Sequence, residues 1–269
     1  MTIDLSLPWV VNYTFEKFNL QLTSYQFFLF ISLLIAYFLL RYLIVKFNTM
    51  SKIDFDLFYG ITIAFIFTFA AIFTIVINFI IYSPVTVLNN LNKYVGISSF
   101  GGMLGIFFSL ILFTKSKYKV TSFPRIIDSV IIVGFLAMGI GRLGCFTSGC
   151  CYGVPTNNFP YVIYHKHFYA PINLKLVPVQ LYESLFLITI SIIGLFLYLK
   201  LYKRIGIQIL FIYLVFRFII EFYRFEPAHV KKYLFFMNIY QLFILIAILL
   251  FLFKEVIYVL SKLWKRKNI

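Results

Sequence analysis

Seven long apolar runs constrain this chain more than any other feature of its sequence. They lie near residues 24–46, 57–82, 97–114, 126–146, 180–200, 206–224 and 234–260. A helix of about 20 apolar residues crosses the roughly 30 Å of hydrocarbon in a bilayer, and it satisfies its own backbone hydrogen bonds there. We therefore predict an all-α polytopic membrane protein with seven transmembrane helices.

The composition leaves little material for a separate soluble domain. Hydrophobic residues make up 62% of the chain and charged residues only 12%, against about 25% charged residues in an average globular protein. We predict a single transmembrane domain over residues 24–269. Residues 1–23 lack the basic, apolar and small-residue order of a cleavable signal peptide, so we predict an interfacial segment at the membrane surface.

The net charge of +15 invites a nucleic-acid partner, but the positions of the basic residues argue against one. Most of the 24 lysines and arginines form short clusters between apolar runs, where positive charge sets topology and contacts anionic lipid. We therefore expect no nucleic acid as partner. The clusters favour an N-terminus outside and a C-terminus in the cytoplasm, which puts the loop at about 147–179 outside.

Ionisable residues inside a bilayer are costly, so each one is a candidate for function. Arg142 lies in the glycine-rich stretch 141–153. Its guanidinium can bind a phosphate through two parallel hydrogen bonds, or its side chain can extend to the lipid headgroups. Gln180 and Glu183 lie at the start of the fifth run, where the helix dipole alone would favour a carboxylate.

A third charged segment lies near the end of the sixth run. Arg217 and Glu221 are spaced i, i+4 and Arg224 follows three residues later, which places all three on one helical face. A structural ion pair would explain this spacing. However, two arginines against one carboxylate leave a surplus positive charge, which a membrane interior would keep only with an anionic partner.

The chain has three cysteines, and all of them follow Arg142 closely. The spacing of Cys145, Cys150 and Cys151 matches no zinc ribbon, so we predict no metal. Three alternatives stay open: a disulfide from Cys145 to one of the other two, a metal site that includes His165 and His167, and small packing residues. The three thiols are also a possible reactive cluster.

Six segments carry recognisable motifs in a fixed order: Ser24-Tyr25, the stretch 96–105, Gly141-Arg142-Leu143-Gly144-x-Phe146, Pro178-x-Gln180-Leu181-Tyr182-Glu183, Arg217-Phe218-Ile219-Ile220-Glu221-Phe222-x-Arg224, and Gln241. Together they resemble the motifs of the bacterial prolipoprotein diacylglyceryl transferases. The resemblance implies a multi-pass protein of the bacterial cytoplasmic (inner) membrane. It implies transfer of the diacylglyceryl group of phosphatidylglycerol to the lipobox cysteine of a preprolipoprotein, among membrane lipids and without a cofactor.

The resemblance also implies roles for individual positions. Those matching catalytic positions are Tyr25, Arg217 and Glu221. Those matching phospholipid-binding positions are Arg142, Gly144, Gln180, Glu183 and Arg224.

The chain departs from the family pattern at several polar positions. Phe100 stands at the position of a histidine, Cys145 and Cys150 at those of an asparagine and a glutamate, Ser148 at that of a second asparagine, and Val177 at that of a second histidine. We interpret the chain as a divergent member. The alternatives are a thiol-dependent lipid-modifying enzyme with another acceptor and a non-catalytic phospholipid-binding membrane protein.

Overall fold

A computed structural model describes most of the chain: residues 3–4, 13–15, 20–22, 24–82, 84–89, 98–115, 122–165, 170–202, 204–225 and 241–253. The chain divides into two compact units. The first unit comprises Met1–Ala36 and Ile127–Ile269, and the second unit comprises Tyr37–Ile126.

The described residues are mostly helical. The helices are α1 Ser24–Lys46, α2 Lys52–Ile81, α3 Pro84–Asn89, α4 Ser99–Lys115, α5 Phe123–Ser148, α6 Val179–Leu199, α7 Ile205–Ile220, which continues as a 3-10 turn over Glu221–Tyr223, and α8 Gln241–Phe253.

These helices make the chain a multi-pass membrane protein. Among the described residues, five helices are long and apolar enough to cross a membrane, and two shorter apolar helices cover Phe100–Phe113 and Gln241–Phe253. Each predicted apolar run overlaps one of these seven helices. Residues 234–240 and 254–260 of the last run lie outside the described residues, and seven crossings stay a prediction.

Short strands are a difference from the all-helical prediction. β1 Ile3–Asp4 pairs in parallel with β4 Val162–Ile163, and β4 pairs antiparallel with β5 Lys175–Leu176. β2 Tyr13–Phe15 and β3 Leu20–Leu22 form an antiparallel pair. The prediction was based on the length of apolar runs, which carries no information about strands of two or three residues in the segments between them.

Small residues bring the helices of the first unit close together. Gly139 of α5 lies against Ile188 of α6, where an added Cβ would come within 2.9 Å of that side chain. The Ser184 hydroxyl on α6 donates a hydrogen bond of 2.7 Å to the Gly139 carbonyl. Gly194 of α6 lies even closer to the Ile209 side chain of α7. Contacts of this kind are typical of helix packing in membranes.

Asp128 of α5 fixes the start of α7. Its carboxylate accepts a hydrogen bond of 2.9 Å from the Gly206 backbone N–H, and the residue is 3% exposed. The first N–H groups of a helix have no partner within the helix, and an aspartate supplies one. Here the capping side chain comes from a neighbouring helix and therefore also joins the two helices.

In the second unit, two glycines of α4 allow close contact with α2. Cβ atoms added at Gly101 and Gly105 would collide with the backbone of Phe69 and Phe65, respectively. The spacing of four residues puts both glycines on the same helical face. Helices α2 and α4 therefore pack at the short distance that small residues permit.

The segment between α5 and α6 folds back onto the end of α5. Its fully buried Tyr164 donates a hydrogen bond of 3.0 Å to the Phe146 carbonyl. An apolar cluster joins the two, made of Phe146, Val162, Tyr164, Ala170 and Leu176. This packing holds the segment against the helix ends that carry the charged residues.

Candidate phospholipid site

Three helices of the first unit bring charged residues together. Arg142 lies near the C-terminus of α5, Glu183 in the first turns of α6 and Arg217 in the last turn of α7. Their exposed fractions are only 7%, 2% and 3%. Of the three, Arg217 lies in the last turn of its helix, where a positive charge complements the helix dipole.

Glu183 is the shared anion of the cluster. Its Oε1 accepts hydrogen bonds from Arg142 Nη2 at 3.0 Å and from the Tyr213 hydroxyl at 3.1 Å. Arg142 Nε lies 2.9 Å from Oε2, close enough for an ion pair but not aligned as a hydrogen bond. Arg217 Nε lies 3.9 Å from Oε1. One edge of the Arg142 guanidinium is therefore occupied by a protein carboxylate.

Glu221 is the second carboxylate. Its Oε2 lies 2.6 Å from Arg217 Nη2 and 3.8 Å from Arg224 Nη1, so the predicted helical stripe forms contacts. The Arg224 side chain is 25% exposed, which makes it the most accessible member of the cluster.

The charges of this cluster do not cancel among the residues that the structure describes. Three guanidinium groups face two carboxylates there, which leaves one positive charge in surplus. Arg217 Nη1 is buried and has no hydrogen-bond partner among the residues that the structure describes. A buried charged donor without a partner is energetically unfavourable, so the cluster has the properties of an anion site.

Backbone pairing brings Arg224 to the cluster. Gly153 and Arg224 form an antiparallel bridge, and the Phe225 N–H donates to the Tyr152 carbonyl at 3.1 Å. The rings of Tyr152 and Phe225 stack with centroids 5.1 Å apart. The segment after α5 thus binds the segment after α7, although about 70 residues separate them in the sequence.

Gly144 lies where α1 contacts α5. A Cβ at this position would come within 3.0 Å of Phe28 Cβ and 3.3 Å of Tyr25 Cα. Tyr25 is partly buried and interacts electrostatically with Arg142. The structure thus brings Tyr25 and Gly144 next to each other.

Helix α5 ends in a Schellman motif. Gly149 has a φ of 69°, its N–H donates to the Phe146 carbonyl at 3.3 Å, and the Cys150 N–H donates to the Cys145 carbonyl at 3.1 Å. Glycine favours this position because it lacks a Cβ. Gln180 holds the turn in place, since its Nε2 donates to the Cys150 carbonyl at 2.7 Å. Helix α5 therefore ends in a tight turn at Gly149, within the glycine-rich stretch.

The three cysteines converge at this turn as free thiols. Their Sγ atoms all lie within 4.8 Å of one another. Hydrogen bonds from Cys145 and Cys150 lower the pKa of Cys151, burial acts in the opposite direction, and Arg224 and Arg142 lower it further. Side-chain hydrogen bonding with Cys145 and Cys151 raises the pKa of Cys150, and burial adds to that rise.

Other predicted positions lie elsewhere. Phe100, at the position of the family histidine, is in the second unit and stacks on Phe73 with ring centroids 6.3 Å apart. His165 Nδ1 lies 2.8 Å from the Asn173 side-chain oxygen. His167 lies outside the described residues.

Tyr213 is a member of the cluster that was not among the residues predicted from the sequence. Its side chain is almost fully buried, and it supplies one of the hydrogen bonds to Glu183. The available signal was its spacing, because Tyr213, Arg217 and Glu221 follow one another at i, i+4 and form a polar stripe on an otherwise apolar helix.

Comparison with known proteins finds relatives that are all named as the same kind of transferase. A phosphatidylglycerol--prolipoprotein diacylglyceryl transferase of Clostridium tetani is 35% identical over 134 residues, which are 49% of this chain and 53% of the relative. A Clostridium perfringens protein named phosphatidylglycerol--prolipoprotein diacylglyceryl transferase 2 is 33% identical over 173 residues, 62% of each chain. A relative of the same name as the first, from Pseudomonas putida, is 32% identical over 141 residues, 49% of this chain and 50% of the relative.

The matched region of this chain thus spans about half to three fifths of the length of these curated relatives. The profile of the family described as "Prolipoprotein diacylglyceryl transferase" matches residues 12–259, which is most of the sequence. The chain therefore belongs to the prolipoprotein diacylglyceryl transferase family.

Proposed function

We propose that this protein transfers the diacylglyceryl group of phosphatidylglycerol to the lipobox cysteine of preprolipoproteins in a bacterial cytoplasmic membrane. Family membership and the names of the relatives support this activity. The observation that carries the proposal is the buried charge cluster with one surplus positive charge and the unpartnered Nη1 of Arg217, as far as the structure describes the chain.

A phosphodiester supplies the negative charge that the cluster lacks. It carries one negative charge, which equals the surplus, and its oxygens accept charge-assisted hydrogen bonds from guanidinium groups. A permanent ion network alone does not explain the surplus, because an uncompensated charge in a membrane protein interior is costly.

The proposed roles follow from the contacts. Arg142, Arg217 and Arg224 hold the phosphate and stabilise the negative charge on the departing glycerol phosphate. Glu183 and Glu221 orient these arginines.

The remaining predicted residues support the site. Gly144 allows Tyr25 to approach α5 closely, Tyr25 interacts electrostatically with Arg142, and Tyr25 acts on the reacting groups. Gln180 fixes the turn beside the phosphate.

The reaction forms one bond and breaks one bond. The acceptor sulfur bonds to the glycerol carbon of the diacylglyceryl group, and the bond from that carbon to the phosphate oxygen breaks. The thiol proton passes to water or to the departing phosphate as the thiolate forms, and glycerol phosphate departs with the electron pair of the broken carbon–oxygen bond. Arginines favour both anions in a low-dielectric site.

The proposal includes a topology. Residues 24–269 form one transmembrane domain of seven helices with the N-terminus outside and the C-terminus in the cytoplasm. Residues 1–23 lie at the membrane interface, and the loop at about 147–179 faces outward. The excess of basic residues in the segments assigned to the cytoplasmic side supports this orientation.

A transfer assay tests the proposal. Membranes containing the protein are incubated with labelled phosphatidylglycerol and a lipobox peptide, and the thioether product is quantified. Arg142→Lys should lower kcat/KM by at least about tenfold, because lysine provides one point charge where arginine provides a planar fork. Arg41→Lys is the matched control, since Arg41 forms a half-exposed pair with Asp56 in the second unit. Absence of product from wild type, or full activity of Arg142→Lys, would refute the proposal.

The free thiols favour a second candidate function. The same phospholipid site would then serve a thiol-dependent enzyme with another acceptor. The triple variant with Cys145→Ser, Cys150→Ser and Cys151→Ser separates the two candidates. Lipid turnover that depends on the thiols but proceeds without a lipobox peptide supports the second candidate.

A further inference from the structure

The three-cysteine turn has a geometry that the transfer reaction as described does not use. In the Schellman motif, the residue two positions after the helix end approaches the residue three positions before it. Here these residues are Cys150 and Cys145, and their backbone hydrogen bond measures 3.1 Å. Cys151 then adopts a left-handed φ of 56°, an unfavourable conformation for a residue with a Cβ. The outcome is three Sγ atoms within 4.8 Å of one another.

We propose that Cys145, Cys150 and Cys151 bind one thiophilic divalent metal ion, represented by zinc, through three thiolates, with a fourth coordination position open to an incoming thiol. This proposal departs from the expectation of no metal, which was based on sequence spacing alone. Cys-x4-Cys-Cys matches no familiar zinc motif, and its three thiols meet only because of the turn.

The distances suit such an ion. Zinc–sulfur bonds of about 2.3 Å in tetrahedral geometry correspond to sulfur–sulfur distances of about 3.8 Å. The present sulfur separations, none above 4.8 Å, reach that value by sub-ångström shifts of thiol groups. Three soft sulfur donors select zinc or another thiophilic ion over magnesium or calcium.

The surrounding charges are compatible with three thiolates. Cys151 interacts electrostatically with both Arg142 and Arg224. Three thiolates around a divalent ion carry only one net negative charge, and the two neighbouring arginines make the surroundings of that charge favourable. Outer contacts also fix the ligands, as expected of a metal site, because Gln180 donates to the Cys150 carbonyl at 2.7 Å.

Three protein ligands leave one tetrahedral position vacant, as in catalytic rather than structural zinc sites. A thiol that binds there loses its proton, because metal coordination deprotonates thiols. This second part rests on the proposed function, in which an acceptor thiol must become a thiolate before it attacks the lipid. The metal site itself does not depend on that function.

Metal titration of the purified full chain tests the site. The reduced, chelator-treated protein in detergent is titrated with cadmium, and the sulfur-to-cadmium charge-transfer absorption is recorded. We expect saturation at one equivalent. Each single Cys→Ser variant should lower the absorption by about one third and the affinity by at least about tenfold. Thr147→Ser is the matched control in the same turn, because it keeps the hydroxyl that bonds the Gly144 carbonyl at 3.1 Å, and it should bind as wild type does.

A second measurement needs no variant. Zinc should protect all three thiols from alkylation, as counted by mass spectrometry, and a small thiol should shift the visible spectrum of the cobalt form. A disulfide in protein isolated without oxidant, or equal alkylation with and without zinc, would overturn the site. An unchanged cobalt spectrum would overturn the open position. Because none of these readouts involves lipid transfer, failure of the metal site and failure of the proposed function are distinguishable.

Discussion

Glu183 receives contacts from side chains of two helices, Arg142 of α5 and both Tyr213 and Arg217 of α7. A buried carboxylate in this position compensates charges that the bilayer would otherwise oppose. Removal of one partner from a buried ion pair typically costs about 3–5 kcal/mol, because the other charge stays buried. An exposed pair contributes roughly 0–1 kcal/mol. A buried ion pair of this cluster can therefore be compared with an exposed ion pair of the same chain.

Glu183→Gln should strongly destabilise the protein, and Asp56→Asn should not. The first change leaves Arg142 and Arg217 without their shared anion, whereas Asp56 pairs with Arg41 at a site where both side chains are more than a third exposed. The measurement is the thermal unfolding midpoint in detergent, followed by near-ultraviolet circular dichroism. Equal midpoints for the two variants would contradict the assignment of Glu183 as the central anion.

The thiols should differ in their response to pH. Because the pKa of Cys151 is lowered and that of Cys150 is raised, Cys151 keeps a thiolate as pH falls below the ordinary thiol pKa, while Cys150 stays protonated. In the metal-free protein, we expect Cys151 to remain reactive toward an alkylating reagent at lower pH than the other two thiols. Peptide mapping after short exposure to iodoacetamide over a pH series measures this order. Faster alkylation of Cys150 than of Cys151 at low pH would contradict this order.

At the scale of elements, close helix packing depends on a few small residues. Gly105 of α4 lies so close to α2 that a Cβ would sit 2.5 Å from the Phe65 carbonyl oxygen, whereas a Cβ at Gly60 of α2 would meet no atom of the described residues within 4 Å. The same substitution should therefore have opposite effects at these two positions. This contrast comes from a tertiary contact, because both glycines lie in apolar helices.

Gly105→Ala should destabilise the second unit by about 1–3 kcal/mol through overpacking. Gly60→Ala should be neutral or stabilising by up to about 1 kcal/mol, because alanine has the higher helix propensity. Unfolding of both variants in mixed micelles, monitored by circular dichroism against denaturant concentration, gives the two values. A stable Gly105→Ala variant would show that α2 and α4 do not pack closely at this position.

At the scale of the whole molecule, the proposed orientation assigns each segment between helices to one side of the membrane. Asn158 lies between α5 and α6, and Tyr202 lies between α6 and α7. Both residues are exposed. If α6 crosses the bilayer, the two positions lie on opposite sides of it.

Asn158→Cys and Tyr202→Cys, each made in the triple Cys→Ser background, should label differently. A membrane-impermeant maleimide should modify Asn158→Cys in intact cells, because the loop faces outward. Tyr202→Cys should react only after permeabilisation. The parent without cysteines is the control, and the reverse pattern would contradict the proposed orientation.

Much of the architecture follows from local properties of the sequence. The length and composition of an apolar run are enough to predict a helix, and the helix at Ser24–Lys46 coincides with its predicted run. The stripe of Arg217, Glu221 and Arg224 follows from helical periodicity, and the turn at Gly149 from the backbone freedom of glycine. These features depend only on residues that are close in the sequence, so they can be predicted from the sequence alone.

The tertiary structure alone decided which distant groups meet. Arg142 is 41 residues from Glu183, and spacing gave no reason to pair one edge of its guanidinium with that carboxylate. Tyr213 joined the cluster through the packing of α6 against α7. The bridge between Gly153 and Arg224 brought an arginine to the cysteine turn. Such pairings depend on the relative placement of whole helices, which long-range packing determines and which local periodicity does not encode.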